Sequence, residues 1–106
     1  MSGMYVLDEK GNPVPEPDVL KWAKSFQSVD RRVAVETVND KYRVSTVFLG
    51  LDYSFGGDEP VLYETMVFSN DGSLDDYTRR YCTKEQAEQG HKEVVEEVKQ
   101  HGQKTA

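Results

Sequence analysis

The side chains that could do chemistry together are few. They are the carboxylates of Asp52 and Glu64, the imidazole of His91 and the thiol of Cys82. One imidazole and two carboxylates can hold a first-row metal ion. The local spacings that usually announce such a site, H-x-H, H-E-x-x-H or a D-x-D-x-D-G loop, are missing, and "SNDGSLDD" lacks the twelve-residue calcium-loop pattern. The sequence therefore points to no metal and no cofactor. Cys82 and His91 would form a nucleophile–base pair only if the last helix folded back beside the strand before it, and nothing in their spacing enforces that. Asp52 and Glu64 could act as paired acids in one cleft, but nothing fixes the distance between them. Gly56-Gly57 could offer backbone amides to an anion, yet no Lys-Ser/Thr follows and Asp58 and Glu59 would repel phosphate.

A binding site is the better-supported reading of the same residues. "FLGLDYSFGGDEPVLYETMVF" places two apolar runs around a loop of roughly residues 50–60. Aromatic rings beside Arg and Asp can stack on a planar ligand and hydrogen-bond its edges. The expected site is a polar pocket under that loop in which Glu64, Arg79 and His91 converge. Asp52, Tyr53, Phe55, Gly57 and Tyr81 complete it. Each residue also has a structural reading. Glu64 would pair across strands with Arg79 or Arg80, His91 would be a hydrogen-bonded core residue, and the glycines would supply a turn.

The elements that must position these residues follow from periodicity. "MYVLD" reads as a short strand and "KGNP" as a turn. Pro17 and Asp18 open a helix over about 17–27, with Val19, Trp22, Ala23 and Phe26 on one face. Two β-branched strands follow, joined by a tight turn at Asn39-Asp40-Lys41. Val33, Val35 and Thr37 are expected on one face of the first, and Tyr42, Val44, Thr46 and Phe48 on one face of the second. "VLYETMVF" and "YTRRYC" supply two more strands. Thr83 to Gln86 matches a capping box for a last helix ending near His101, whose apolar face is Ala87, His91, Val94, Val95 and Val98. Gly90 inside that helix either marks a close approach by another backbone or ring or is simply tolerated there. The order is β-α-β-β-β-β-α, an α+β domain over 1–101 with a short tail at 102–106. Its antiparallel meander of four to five strands carries two packed helices. Strand 61–68 is apolar on both faces, so a second subunit is expected to cover one of them, giving a homodimer or higher homo-oligomer.

Bulk properties narrow the classes. The chain has 106 residues, 37% of them hydrophobic and 10% aromatic, which suits one packed domain. Its net charge is −6, and residues 50–76 hold seven acids with no Lys or Arg. That field disfavours direct nucleic-acid binding and favours a basic partner or a cation. A single cysteine, no apolar run of membrane length and no signal-like N-terminus point to a reducing cytoplasm.

Taken together, "GNPVPEPDVLKWAKSF", "STVFLGLDYSFGGDEPVLYETMVF" and "RRYCTKEQAEQGHKEVV" resemble a family of small bacteriophage and prophage proteins of no established activity. The likeness runs over nearly the whole chain, and it carries no catalytic residue across. It implies a protein acting in the bacterial host cytoplasm. The expected function is a non-enzymatic accessory role in counter-defence. Such a protein would sequester a nucleotide-derived immune signal or inhibit a basic host protein. A small hydrolase using Glu64 and His91, or a virion assembly protein, are the alternatives.

Overall fold

The computed structural model describes residues 3–28, 30–54, 59–72, 74 and 77–104. Its first two strands, β1 (Tyr5–Leu7) and β2 (Pro13–Pro15), form a small hairpin. α1 (Val19–Ser28) follows. β3 (Arg32–Val38), β4 (Tyr42–Phe48), β5 (Tyr63–Ser69) and β6 (Thr78–Tyr81) then make an antiparallel sheet in chain order, and α2 (Lys84–Lys104) closes the fold. The architecture is the α+β meander read from the sequence, with the first strand doubled into a hairpin. α2 continues through Lys104, three residues beyond its expected end.

Local chemistry sets the boundaries. The Asp18 carboxylate accepts from the Leu20 and Lys21 amides, so Asp18 is the N-cap of α1 and Pro17 precedes the helix. Thr83 and Gln86 form the expected capping box. The Gln86 amide donates to Thr83 Oγ1 at 3.1 Å, and the Gln86 side chain accepts from the Cys82 and Thr83 amides. Asn39 and Asp40 hold φ of 55° and 57°, and the Lys41 amide donates to the Val38 carbonyl, which makes a type I′ turn between β3 and β4.

α2 lies along one face of the sheet. Ala87, Val94, Val95 and Val98 are buried against Val38, Tyr42, Val44 and Val67, and toward the other end against Phe48, Leu62, Tyr63 and Tyr81. Each α2 valine contributes about 1.5–3 kcal/mol by leaving water. The buried positions of β4 and β5 alternate as period two requires: Tyr42, Val44, Thr46 and Phe48, then Tyr63, Thr65 and Val67.

β3 departs from the expected faces. Its register with β4 shifts between Arg32 and Ala34. Beyond that bulge Ala34, Glu36 and Val38 lie opposite Thr46, Val44 and Tyr42, on the α2 side. Val35 and Thr37 point the other way and are exposed, while Val33 still packs on the Phe48 cluster. An unbulged alternation would have kept Val33 with Val35, so the expected grouping of Val33, Val35 and Thr37 on one face is corrected.

α1 leans on β1 and on the chain just after β4 rather than on the four-stranded sheet. The Trp22 indole donates to the Gly50 carbonyl at 2.9 Å. Gly50 holds φ +76°, and a Cβ there would sit 2.8 Å from the Phe26 ring. The face of the sheet opposite α2 carries no helix among the described residues.

Candidate functional site

The sequence-derived site residues fall into three places. The first is the base of the 50–60 loop. Asp52 Oδ1 accepts from the Ser54 and Val61 amides at 2.8 and 2.9 Å. These backbone donors, Ser54 first, hold the Asp52 carboxyl below its ordinary range. The Asp52 amide in turn donates to Gly3, and Tyr5 donates to Gly50, which straps the loop base to the N-terminal segment. Asp52 is therefore a clamp that closes the base of the loop. Phe55 and Gly57, with Gly56 and Asp58, lie outside the described residues.

The second place is the open face of the sheet. Glu64 stands directly across from Arg80, whose Nε donates to Glu64 Oε2 at 2.9 Å. The Arg80 guanidinium also lies 4.9 Å over the Tyr53 ring. On the same face Arg43 lies 4.8 Å over Phe68, and Val35, Tyr53 and Phe68 are each more than a third exposed.

The third place is the α2 side. His91 is buried, as are Thr46 and Thr65 beneath it. A chain of hydrogen bonds links Tyr81 Oη to Thr65 Oγ1 (3.0 Å), Thr65 to Thr46 (2.5 Å), Thr46 to His91 Nδ1 (2.8 Å) and His91 Nε2 to Glu36 Oε1 (3.2 Å). Its polarity follows from the ends. A carboxylate only accepts, so His91 Nε2 carries the hydrogen and donates to Glu36. In the neutral ring Nδ1 then accepts from Thr46, Thr46 accepts from Thr65, and Thr65 accepts from Tyr81. Each bond of this hydrogen-bond relay then has one donor and one acceptor. Gly90 lies against the Tyr81 ring so closely that a Cβ there would overlap Cε1, Cζ and Oη. Of the two readings of Gly90 the structure shows the close approach, and it is by a ring.

Arg79 lies near this third place but is already paired. Its Nη2 donates to Glu93 at 3.1 Å, and Nη1 lies 3.9 Å from Glu97, to which the Tyr77 hydroxyl also donates. Arg79, Tyr81, Gln86 and Gln89 line a shallow groove of about 560 Å³ between β6 and α2.

The expected convergence of Glu64, Arg79 and His91 is therefore corrected. Neighbouring residues of a strand point to opposite faces, so Glu64 and Arg80 sit on the open face while Thr65, Arg79 and Tyr81 face α2 and His91. The trio Asp52, Glu64 and His91 is broken as well, since Glu64 and His91 lie on opposite faces of the sheet. Among the described residues no three His, Cys, Asp or Glu side chains gather where they could hold a metal ion. Cys82 is not paired with His91. Burial first, then the Glu59 and Asp52 carboxylates, push its thiol pKa up, which is the opposite of an activated nucleophile.

Thr46, Thr65 and Glu36 were missed in the sequence. A signal existed for the two threonines. Each interrupts the buried row of a central strand, and a buried hydroxyl requires a partner. Glu36 had no such signal of its own, because its face follows from pairing opposite Val44 on β4.

Among the described residues no helix is long and apolar enough to cross a membrane. No family model matches the chain, and no curated protein or solved structure matches it either.

Proposed function

We propose that the chain is a non-enzymatic binding protein, a phage-encoded accessory factor of counter-defence that engages a basic host protein in the cytoplasm. The observation that carries this reading is the open sheet face. It presents Val35, Tyr53 and Phe68 with Arg43 and Arg80 stacked on the two rings. Exposed aromatic rings and arginines on one surface are the composition of interface hot spots. The 50–76 segment, which includes β5, holds seven acids and no Lys or Arg, a charge that suits a basic partner.

The hydrolase reading loses its support, since Glu64 and His91 stand on opposite faces of the sheet. The nucleotide reading rests on the groove beside Tyr81. Its Arg79 is held by Glu93 and Glu97, so a phosphate would have to displace two carboxylates.

The test compares the wild-type chain with Phe68→Asp. A partner is captured from host lysate and identified, and its affinity is then measured by titration. The expected result is a basic protein whose binding weakens at least about tenfold in Phe68→Asp, the loss of one hot spot, and falls with rising salt. A cyclic dinucleotide or ADP-ribose that raises the melting temperature would overturn this reading in favour of signal sequestration. Light scattering that gives a mass of two chains for the wild type and one for Phe68→Asp would assign the face to a second copy of this chain instead.

A further inference from the structure

A second cleft lies on the other side of the sheet, apart from the face discussed above. It is bounded by the β1–β2 hairpin, the start of β3 and the first turns of α2, and its volume is about 380 Å³. That is within the range of small-molecule sites. Leu7, Val33 and the Phe48 and Tyr63 rings form its apolar lining, and Lys84 and Glu88 stand on its α2 wall.

One feature of the lining is unusual for a packed core. Tyr63 is 1% exposed, and its hydroxyl has no hydrogen-bond partner among the described residues. An orphaned buried hydroxyl costs stability unless something else satisfies it. Tyr63 lines the cleft. Its pKa is raised by burial and then by the Glu85 and Glu88 charges, which locates the hydroxyl at the same end of α2.

The charges around the cleft divide into spent and free. Asp30 and Arg32 pair with each other at 3.1 Å. Asp8 accepts from the Lys10 and Asn12 amides. The Arg31 guanidinium lies 3.7 Å over Phe26 and donates to the Phe48 carbonyl. Lys84, Glu88 and Glu9 carry no ion pair among the described residues. Arg31 and Asp8 keep their opposite charges, so the lining as a whole carries three cations and four anions, which disfavours a polyanion and accepts a ligand bearing both signs.

We infer that this cleft binds a small zwitterion with an apolar body, the chemistry of a free aromatic or branched amino acid. The body packs on Leu7, Val33 and Phe48. The ligand's carboxylate faces Lys84, its ammonium faces Glu88 and Glu9, and a polar atom of the ligand satisfies the Tyr63 hydroxyl.

The experiment titrates the full chain with L-phenylalanine, 3-phenylpropionate, phenethylamine and AMP, each up to about 10 mM, the weak end of measurable affinity. Backbone amide shifts are followed by NMR. The expected result is saturable shifts at Leu7, Val33, Phe48 and Lys84 with L-phenylalanine, and at least about tenfold weaker binding of the three other probes, each of which lacks one of the two charges or the apolar body. Tyr63→Phe should melt at the same or a higher temperature than wild type without ligand, because the orphan hydroxyl is gone, and should bind L-phenylalanine several-fold more weakly. No saturable shifts with L-phenylalanine, or binding of 3-phenylpropionate or AMP as tight as that of L-phenylalanine, would overturn the inference. So would a Tyr63→Phe chain that melts lower and binds equally well.

Discussion

Gly90→Ala should destabilise the protein, although alanine is the better helix former. Position 90 is in the middle of α2, where Ala gains about 1 kcal/mol over Gly. Against this, the new Cβ would overlap the Tyr81 ring. That ring is 8% exposed and is held by its hydroxyl bond to Thr65, so it has little room to swing away. Overpacking of this kind costs about 1–3 kcal/mol. If the ring moves, the buried Thr65 hydroxyl loses its donor at a further cost of about 1 kcal/mol. The net expectation is a loss of about 1–3 kcal/mol, read as a lower urea midpoint with unchanged slope. Tyr81→Ala removes the obstacle. In that background Gly90→Ala should stabilise by about 1 kcal/mol, the bare helix propensity. The reasoning fails if Gly90→Ala stabilises the wild-type chain, or if its effect is the same in both backgrounds.

Two further outcomes follow from the polar groups. Thr46→Val keeps the shape of the side chain but removes the middle hydroxyl of the relay, leaving the Thr65 donor and His91 Nδ1 unpartnered; a loss of about 2–5 kcal/mol is expected in urea unfolding, with Thr46→Ser close to wild type. Asp52 has a folded pKa below its ordinary 3.8 because backbone amides donate to it. Its contribution is thus present above the unfolded value and is lost as pH falls through the folded one. Melting temperatures measured from about pH 5 down to about pH 2 should fall less steeply in Asp52→Asn, and equal slopes would refute the clamp.

The sequence by itself determined the elements and much of their orientation. Period two in β4 and β5, period 3.6 in α2, the Thr83–Gln86 cap and the Asn39-Asp40 turn are all local chemistry, because each depends on residues within a few positions of one another. They were enough to bury Val94, Val95 and Val98 correctly and to place His91 on the inner face of its helix. Gly90 left open both whether anything approaches it and what does, which is the Tyr81 ring.

Tertiary structure decided which polar groups meet. Glu36 reaches His91 because the register running back from the Asn39-Asp40 turn sets it opposite Val44 on the α2 face, while the bulge between Arg32 and Ala34 reverses only the start of β3. Glu64 was drawn to His91 by chemical affinity in the sequence, yet its register across from Arg80 puts it on the other face. The cleft at Tyr63 is built from the hairpin, two strands and a helix that are far apart along the chain. Local patterns report on contacts within one element. Sites assembled across elements depend on register and docking, which only the folded chain sets.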